Sequence, residues 1–383
     1  MDFTFTEEQV MLRDAMSRLL GQHYDFDQRQ QIVHSSAGRS ERVWRQFRDM
    51  GLLHAPFPEA VGGFGGKASD LVLLAELLGE HLVVEPYLPS ILLTGRALAR
   101  VDGHAGALGW LERLMEGSAL GALAHEEGHG TADITRIATE LIPTDDGLLL
   151  NGEKRLVLGG TDADVLLVTA RLPDGALAML LVDPTLRGVG MECYSTIDGR
   201  RAANIRFENV RLAPDALIQS NADKAIQDIV HDALLALSAE AVGAMAALLT
   251  ASVQYAGTRK QFGVPISSFQ AIAHRLADMK LAYVKARSTL FYTAALIESG
   301  RAEPRDYSLL KAQAGRLGRA IAESAVQIHG GVGTTDEVSV GHHLKRILAI
   351  EAMFGPSEYH LRLVGASSVS AASAAPRREA MEA

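Results

Sequence analysis

The stretch ALLALSAEAVGAMAALLTASV, residues 233–253, limits the fold more than any other part of the sequence. It is apolar on every helical face, so a helix built from it must be covered on all sides, by lipid or by other helices. Its length suffices to cross a bilayer. Small residues dominate it, however, Glu240 sits midway along it, and no aromatic belt marks either end. These features predict the central helix of a soluble bundle. Such a helix needs a large covering. A chain of 383 residues, 48% hydrophobic and 22% charged, provides it, with length for two or three domains.

The covering is legible on both sides. From the N-terminus to about Ser118, apolar residues recur at helical spacing. In TEEQVMLRDAMSRLL, Thr6 is placed as an N-cap with Gln9 three residues on, the spacing of a capping box. LVLLAELLGEHL is a second helix, set off by the loop PEAVGGFGGKASD, which follows no strand and so predicts a turn and no dinucleotide site. From about 119 to 218 the period becomes that of strands. Asn151-Gly152 between apolar runs predicts a hairpin. Pro173-Asp174-Gly175 predicts a turn between two further strands, and NIRFENVRL alternates as a strand does. After Gln219 the segments 225–258, 269–300, 304–329 and 336–363 predict a helical bundle. Ser267 and Gln270 have capping-box spacing at the start of the second segment. The fold class expected is α+β, with a helical N-terminal domain (1–118), a middle β-barrel or sandwich domain (119–218) and a C-terminal helical bundle (219–365). The small, polar tail 366–383 is expected to be disordered.

The net charge of −9 argues against nucleic acid or an anionic membrane as the main partner. The single Cys193 excludes an intramolecular disulfide and fits a reducing cytoplasm. The opening residues are acidic and amphipathic and lack the basic and apolar regions of a signal peptide, so a cytoplasmic location is expected. His125, His129, His342 and His343 fit no common ligand spacing; they read as solvated, and no metal site is expected.

Two motifs carry chemistry. In RKQFGVPISSFQAIAHRLADM, which starts at Arg259, two cations, Phe262 and a glycine occupy a turn between helices. A guanidinium there can hold a phosphate by two parallel hydrogen bonds, and Phe262 can pack on a ring. Two cations at a helix C-terminus also simply complement its dipole. In QIHGGVGTTDE, from Gln327, three glycines let backbone N–H groups approach an anion closely, although glycine also ends helices.

With LNGEKRLVLGG and LLVTAR of the β module, these motifs resemble the acyl-CoA dehydrogenase family over almost the whole chain. STIDGRRAANIRFENVRL, GGVGTTDEVSVGHHLKRI and MFGPSEYHL are most similar to the small subunits of heteromeric bacterial members of the pimeloyl-CoA dehydrogenase type. The resemblance implies FAD as cofactor, with Arg259 and Phe262 contacting the FAD of a neighbouring subunit. Gln327, Gly330 and Gly331 would hold its adenosine and pyrophosphate end, and Gln270 would join the cofactor contacts. It implies an acyl-CoA substrate, a 2,3-enoyl-CoA product and an electron-transfer flavoprotein as acceptor. The expected partner is a larger paralogous subunit in an α2β2 assembly, or a second copy in a homo-oligomer.

The sequence also departs from the family pattern. The usual base is a Glu before Gly-Thr; here the stretch reads Phe354-Gly355-Pro356. The alternative family position, about Ala233, is not acidic either. Glu240 lies two helical turns on from Ala233, faces the same way and is the candidate catalytic base, ahead of Glu351 and Glu358 in a more polar helix. A buried carboxylate is either paired or functional, so a bond to a buried arginine is the competing reading. Where the family carries Trp-Ile-Thr-Asn against the flavin ring, this chain reads Leu156-Val157-Leu158-Gly159. The Thr-Glu-Pro loop reads AHEEGHGTAD, which leaves His125, Glu126 and Leu158 as ring-side contacts. A chain with these losses can also be a non-catalytic scaffold completing its partner's FAD site. A monooxygenase or nitroalkane oxidase on the same fold is a third reading. Ala241, Gly243 and Ala244 around Glu240 leave room for a bulky acyl chain, and dicarboxylyl, branched and steroid side-chain thioesters all stay open.

Overall fold

The computed structural model describes residues 5–128 and 136–374. Helices come first: α1 (Glu7–His23), α2 (Phe26–His34), α3 (Glu41–Asp49), α4 (Ala68–Glu80), a π-helical segment (Tyr87–Gly95) running into the short α5 (Arg96–Leu98), and α6 (Ala105–Met115). Thr6 caps α1 as expected: its hydroxyl accepts from Gln9 N, and Gln9 Oε1 accepts from Thr6 N. The strands are β1 (Gly121–Ala124), β2 (Glu140–Thr144), β3 (Gly147–Leu158), β4 (Val165–Arg171), β5 (Leu177–Val182), β6 (Val189–Ser195), β7 (Arg201–Leu212) and β8 (Leu217–Ser220). They form one mixed sheet in the order β6-β7-β3-β2-β4-β5-β8, with β1 parallel to β4. Leu141, Leu150, Val168, Leu180, Ile205 and Phe207 belong to a core that the sheet's two halves share, as in a sandwich.

The remainder is helical: α7 (Asp223–Thr258), a two-stranded ribbon of β9 (Lys260–Gln261) and β10 (Val264–Pro265), then α8 (Gln270–Glu298), α9 (Pro304–His329), α10 (Ser339–Ala352) and α11 (Ser357–Ala374). The all-apolar stretch lies in α7, which α4, α8, α9 and α10 cover. At the crossing with α4 the two backbones touch. A Cβ on Gly243 would lie 1.8 Å from Glu76 O, and one on Gly79 would lie 1.8 Å from Glu240 O. Gly243 therefore serves this crossing and leaves no room for an acyl chain between α7 and α4.

Several local expectations are corrected. The β2–β3 hairpin turns at Asp145-Asp146, between the paired residues Thr144 and Gly147. Asn151 and Gly152 lie inside β3, at a bulge opposite β7, where Asn151 Oδ1 accepts from Asn209 N at 2.8 Å. The apolar runs on either side belong to one long strand that the bulge re-aims. Ser267 does not cap α8: it sits in a 3-10 turn, and Phe269 is the N-cap with no side-chain bond. The 336–363 segment divides into α10 and α11 at Phe354-Gly355-Pro356, because proline cannot continue a helix and Phe354 turns with φ +52°. α11 runs on to Ala374, so that part of the expected disordered tail is helical.

The histidines are corrected as well. His125, His342 and His343 are buried, not solvated, while His129 lies outside the described residues. Carbonyls of Ser339 and Glu80 meet the two ring nitrogens of His343, and burial lowers its pKa to about 4.

Candidate active site

One face of α7 opens onto three cavities in succession. Leu234, Leu237 and Glu240 stand three residues apart, so they share that face, and each lines a different cavity. Leu234 lies on an apolar groove of about 630 Å³ with Ile226, Val230 and Leu363, beside the cations Lys224 and Arg305. Leu237 borders a small enclosed pocket between the sheet and the helices. Leu88 and Leu93 of the π-helical segment, Leu156 and Leu158 of β3, and Phe354 close it, with His125 and Glu126 as its polar members. π-helical turns often sit where a helix wall has been reshaped for a ligand. Glu240 borders the third cavity, together with Arg200, Glu85 and Leu158.

The middle pocket is held rigidly from two sides. On the sheet side Lys154 Nζ donates to Glu127 Oε1 at 2.7 Å, to the His125 carbonyl and to Thr169 Oγ1. Burial lowers the Lys154 pKa to about 8, against the pull of Glu127. On the helical side Lys311 Nζ donates to the carbonyls of Gly355 and Glu351, and His360 Nε2 meets the Phe354 carbonyl at 2.9 Å. Between these anchors Glu126 Oε1 accepts from Phe354 N at 2.8 Å, and the His125 ring stacks on Phe354. Burial pushes the Glu126 carboxyl up to about 7, while the Phe354 N–H and Lys311 pull the other way.

Glu240 is 4% exposed, and two arginines take up its oxygens. Arg346 donates to Oε1, and Arg200 lies 3.4 Å from Oε2. Asp198 closes a quartet of ion pairs, its Oδ2 lying 2.6 Å from Arg346 Nε and 2.8 Å from Arg200 Nε. Burial alone would raise the Asp198 carboxyl, but Arg200 and Arg346 outweigh it and hold it well below the usual range. The structure gives Glu240 the paired alternative, with guanidinium groups at both of its oxygens, and this counts against it as the catalytic base.

The two glycine and cation motifs meet at another corner of the chain. Tyr255, one turn before Arg259, stacks on His329 with centroids 4.4 Å apart, which sets the end of α9 beside the end of α7. Phe262-Gly263 is the tip of the β9–β10 ribbon, both residues at positive φ as a two-residue hairpin loop requires. Phe262 is 93% exposed there. Among the described residues the Arg259 guanidinium bonds nothing, and Gln327 and Gln270 are exposed nearby in the chain at the ends of α9 and α8. A Cβ added to Gly330 or Gly331 meets nothing within 4 Å, so backbone there is open to close approach. An open backbone turn, a free guanidinium and an exposed ring suit the phosphates and ring of a dinucleotide. Arg259, Phe262, Gln327, Gly330 and Gly331 thus share one corner, while His125 and Leu158 line the enclosed pocket; the two sets share no cavity.

Comparison with known proteins shows the family and the fold. The family models for the N-terminal, middle and C-terminal domains of acyl-CoA dehydrogenases match residues 6–100, 122–210 and 224–369. The probable acyl-CoA dehydrogenase YngJ of Bacillus subtilis is 29% identical over 94% of this chain and 97% of its own length. Benzylmalonyl-CoA dehydrogenase of Aromatoleum aromaticum is 28% identical over 97% of this chain and 100% of its own. The ChsE4-ChsE5 complex from Mycobacterium tuberculosis contains a chain that superposes with a TM-score of 0.89 at 26% identity, covering 96% of this chain and 99% of that one. The chain belongs to the acyl-CoA dehydrogenase family, oxidoreductases whose cofactor is FAD.

Proposed function

We propose that this chain is a cytoplasmic, FAD-dependent acyl-CoA dehydrogenase subunit that converts an acyl-CoA thioester into the 2,3-enoyl-CoA. In this reading it pairs with a larger paralogous subunit, as α2β2, and passes electrons to an electron-transfer flavoprotein. One observation supports the reading: among the described residues the Arg259–Gly331 corner is exposed and the Arg259 guanidinium bonds nothing, while His125, Glu126 and Leu158 line a pocket elsewhere on the chain. An FAD that uses both kinds of group then draws them from two chains. The groove at Leu234 supports the substrate class, because it offers an apolar wall to an acyl or pantetheine chain and two cations to phosphates. When bound, FAD supplies the two-electron acceptor. The scaffold reading keeps one observation in its favour: Phe354 stands where a carboxylate is expected, and Glu240 is tied to arginines.

Co-expression separates the readings. The chain alone is expected to hold little flavin, and the complex with a larger paralogue is expected to hold it and to be bleached by at least one member of a CoA-thioester panel. Bleaching by none of them would favour the scaffold. Full activity of the chain alone would replace the hetero-oligomer by a homo-oligomer. In the complex, Arg259→Ala removes a charge-assisted contact worth roughly 1.5–3 kcal/mol, so FAD affinity should fall about 10–100-fold. Unchanged flavin retention on dialysis would show that this cation holds no phosphate.

A further inference from the structure

Resting on the dehydrogenase reading above, we infer that Glu126 is the proton acceptor of this chain's own site, taking the C2 proton of the thioester from the pocket beneath Phe354. A base for this step must be a carboxylate in apolar surroundings, with one oxygen free and facing the place where the substrate lies. Five carboxylates line the α7 cavities, of which Asp223 is exposed on the large groove and Asp162 borders only the cavity at Glu240. Glu240 is taken up by Arg200 and Arg346. Glu85 accepts from Ser40 N and borders only the cavity at Glu240. Glu126 has a single hydrogen bond, from Phe354 N to Oε1, and Oε2 has none among the described residues. It shares its pocket with Leu88, Leu123, Leu158 and Leu237, and Leu237 is one turn from Leu234 in the large groove.

The surrounding charges leave Glu126 free to work near neutrality. His125 precedes it, and Lys154 and Glu127 neutralise each other on the sheet side. Lys311, with its pKa lowered by burial to about 8, is spent on the Gly355 and Glu351 carbonyls. His360, lowered by burial to about 4, is uncharged. In the step itself Glu126 Oε2 takes the C2 proton, and the electrons of that C–H bond become the C2=C3 bond. Bound FAD would supply the two-electron oxidant that accepts the hydride from C3 with its electron pair. The balance is one acyl thioester giving one enoyl thioester, one proton on Glu126 and one hydride on the cofactor.

Proton removal can be read without hydride transfer, by following exchange of the C2 protons of 3-thiabutyryl-CoA and 3-thiaoctanoyl-CoA into deuterium oxide by mass spectrometry. These thioesters carry sulfur at position 3 and have no hydride to give. With the flavin-loaded complex, Glu126→Gln should slow exchange by roughly 100-fold or more while flavin content and thermal midpoint stay at wild-type values. The wild-type exchange rate should climb with pH through about 7 and level off above it, as the carboxyl loses its proton. Glu126→Gln with Phe354→Glu should restore part of the rate, since residue 354 starts at the hydrogen bond Glu126 makes. Equal exchange in wild type and Glu126→Gln, or wild-type exchange that is absent while the thioester binds, overturns the assignment of Glu126 and leaves the family reaction to the partner subunit. Failure of the wild-type complex to bind or be bleached by any thioester would instead overturn the dehydrogenase reading, and Glu126 with it.

Discussion

Arg346→Leu is expected to destabilise the protein by about 3–5 kcal/mol, the usual cost of removing one member of a buried charge cluster. The reason lies in what remains. Asp198 and Glu240 are both buried, and without Arg346 they share the single guanidinium of Arg200. The carbonyls of Leu82 and Val83 lose their donor as well. All three parts of the chain meet here, since Arg29 of α2 donates to the Asp198 carbonyl at 2.7 Å and to the Leu82 carbonyl at 3.0 Å. Asp198 and Arg200 come from the turn between β6 and β7, and Glu240 and Arg346 from α7 and α10. The loss should lower the thermal midpoint by roughly 4–6 °C. Arg346→Lys should recover little, because an ammonium cannot span both carboxylates as the planar guanidinium does. The double variant Glu240→Leu with Arg346→Leu should recover a measurable part, because it leaves Asp198 and Arg200 as a matched pair. A midpoint within about 1 °C of wild type for Arg346→Leu, read by calorimetry, would show that the quartet contributes nothing net; the figure follows from the roughly 1 °C that about 1 kcal/mol moves a protein this size.

What local pattern can report, the sequence reported well. The Thr6 cap, the strand period between the helical parts, the helix Pro304–His329 and the buried course of α7 all depend on neighbours within a few turns. The failures share one cause. Whether Asn151-Gly152 makes a turn or a bulge is decided by its pairing with β7, about fifty residues on, and no local signal carries that. The sequence narrows Glu240 to paired or functional, but its partners Arg200 and Arg346 lie 40 and 106 residues away. Glu126 meets Phe354 across 228 residues. One signal did exist for these interior groups: lone charges such as Lys311 in LLKAQAG and Arg346 in KRILAI interrupt apolar helix faces, and a buried charge requires a partner somewhere.

Gly243→Ala should be the most damaging one-methyl change in α7. The added Cβ would come within 1.8 Å of Glu76 O and 2.6 Å of Glu76 C, atoms of the α4 backbone that no rotamer change can move aside. α4 and α7 must then separate, although Gly79 keeps them in contact with its own Cα against Glu240 O from the other side. Overpacking of this kind costs about 1–3 kcal/mol where side chains can yield, and here they cannot. Alanine returns about 1 kcal/mol through its better helix propensity, which the clash must exceed. Separation also displaces Leu237 and Glu240, which lie on α7 within two turns of Gly243, so thioester binding should weaken together with stability. Gly257→Ala is the internal control. It lies in the same helix, exposed, with nothing within 4 Å of the new methyl, and should stabilise by about 0.5–1 kcal/mol. In urea titrations the two alanine variants are thus expected to move the midpoint in opposite directions. A shift of the same sign in both would mean that α4 and α7 do not meet backbone to backbone, and the tight wall behind the candidate site would lose its basis.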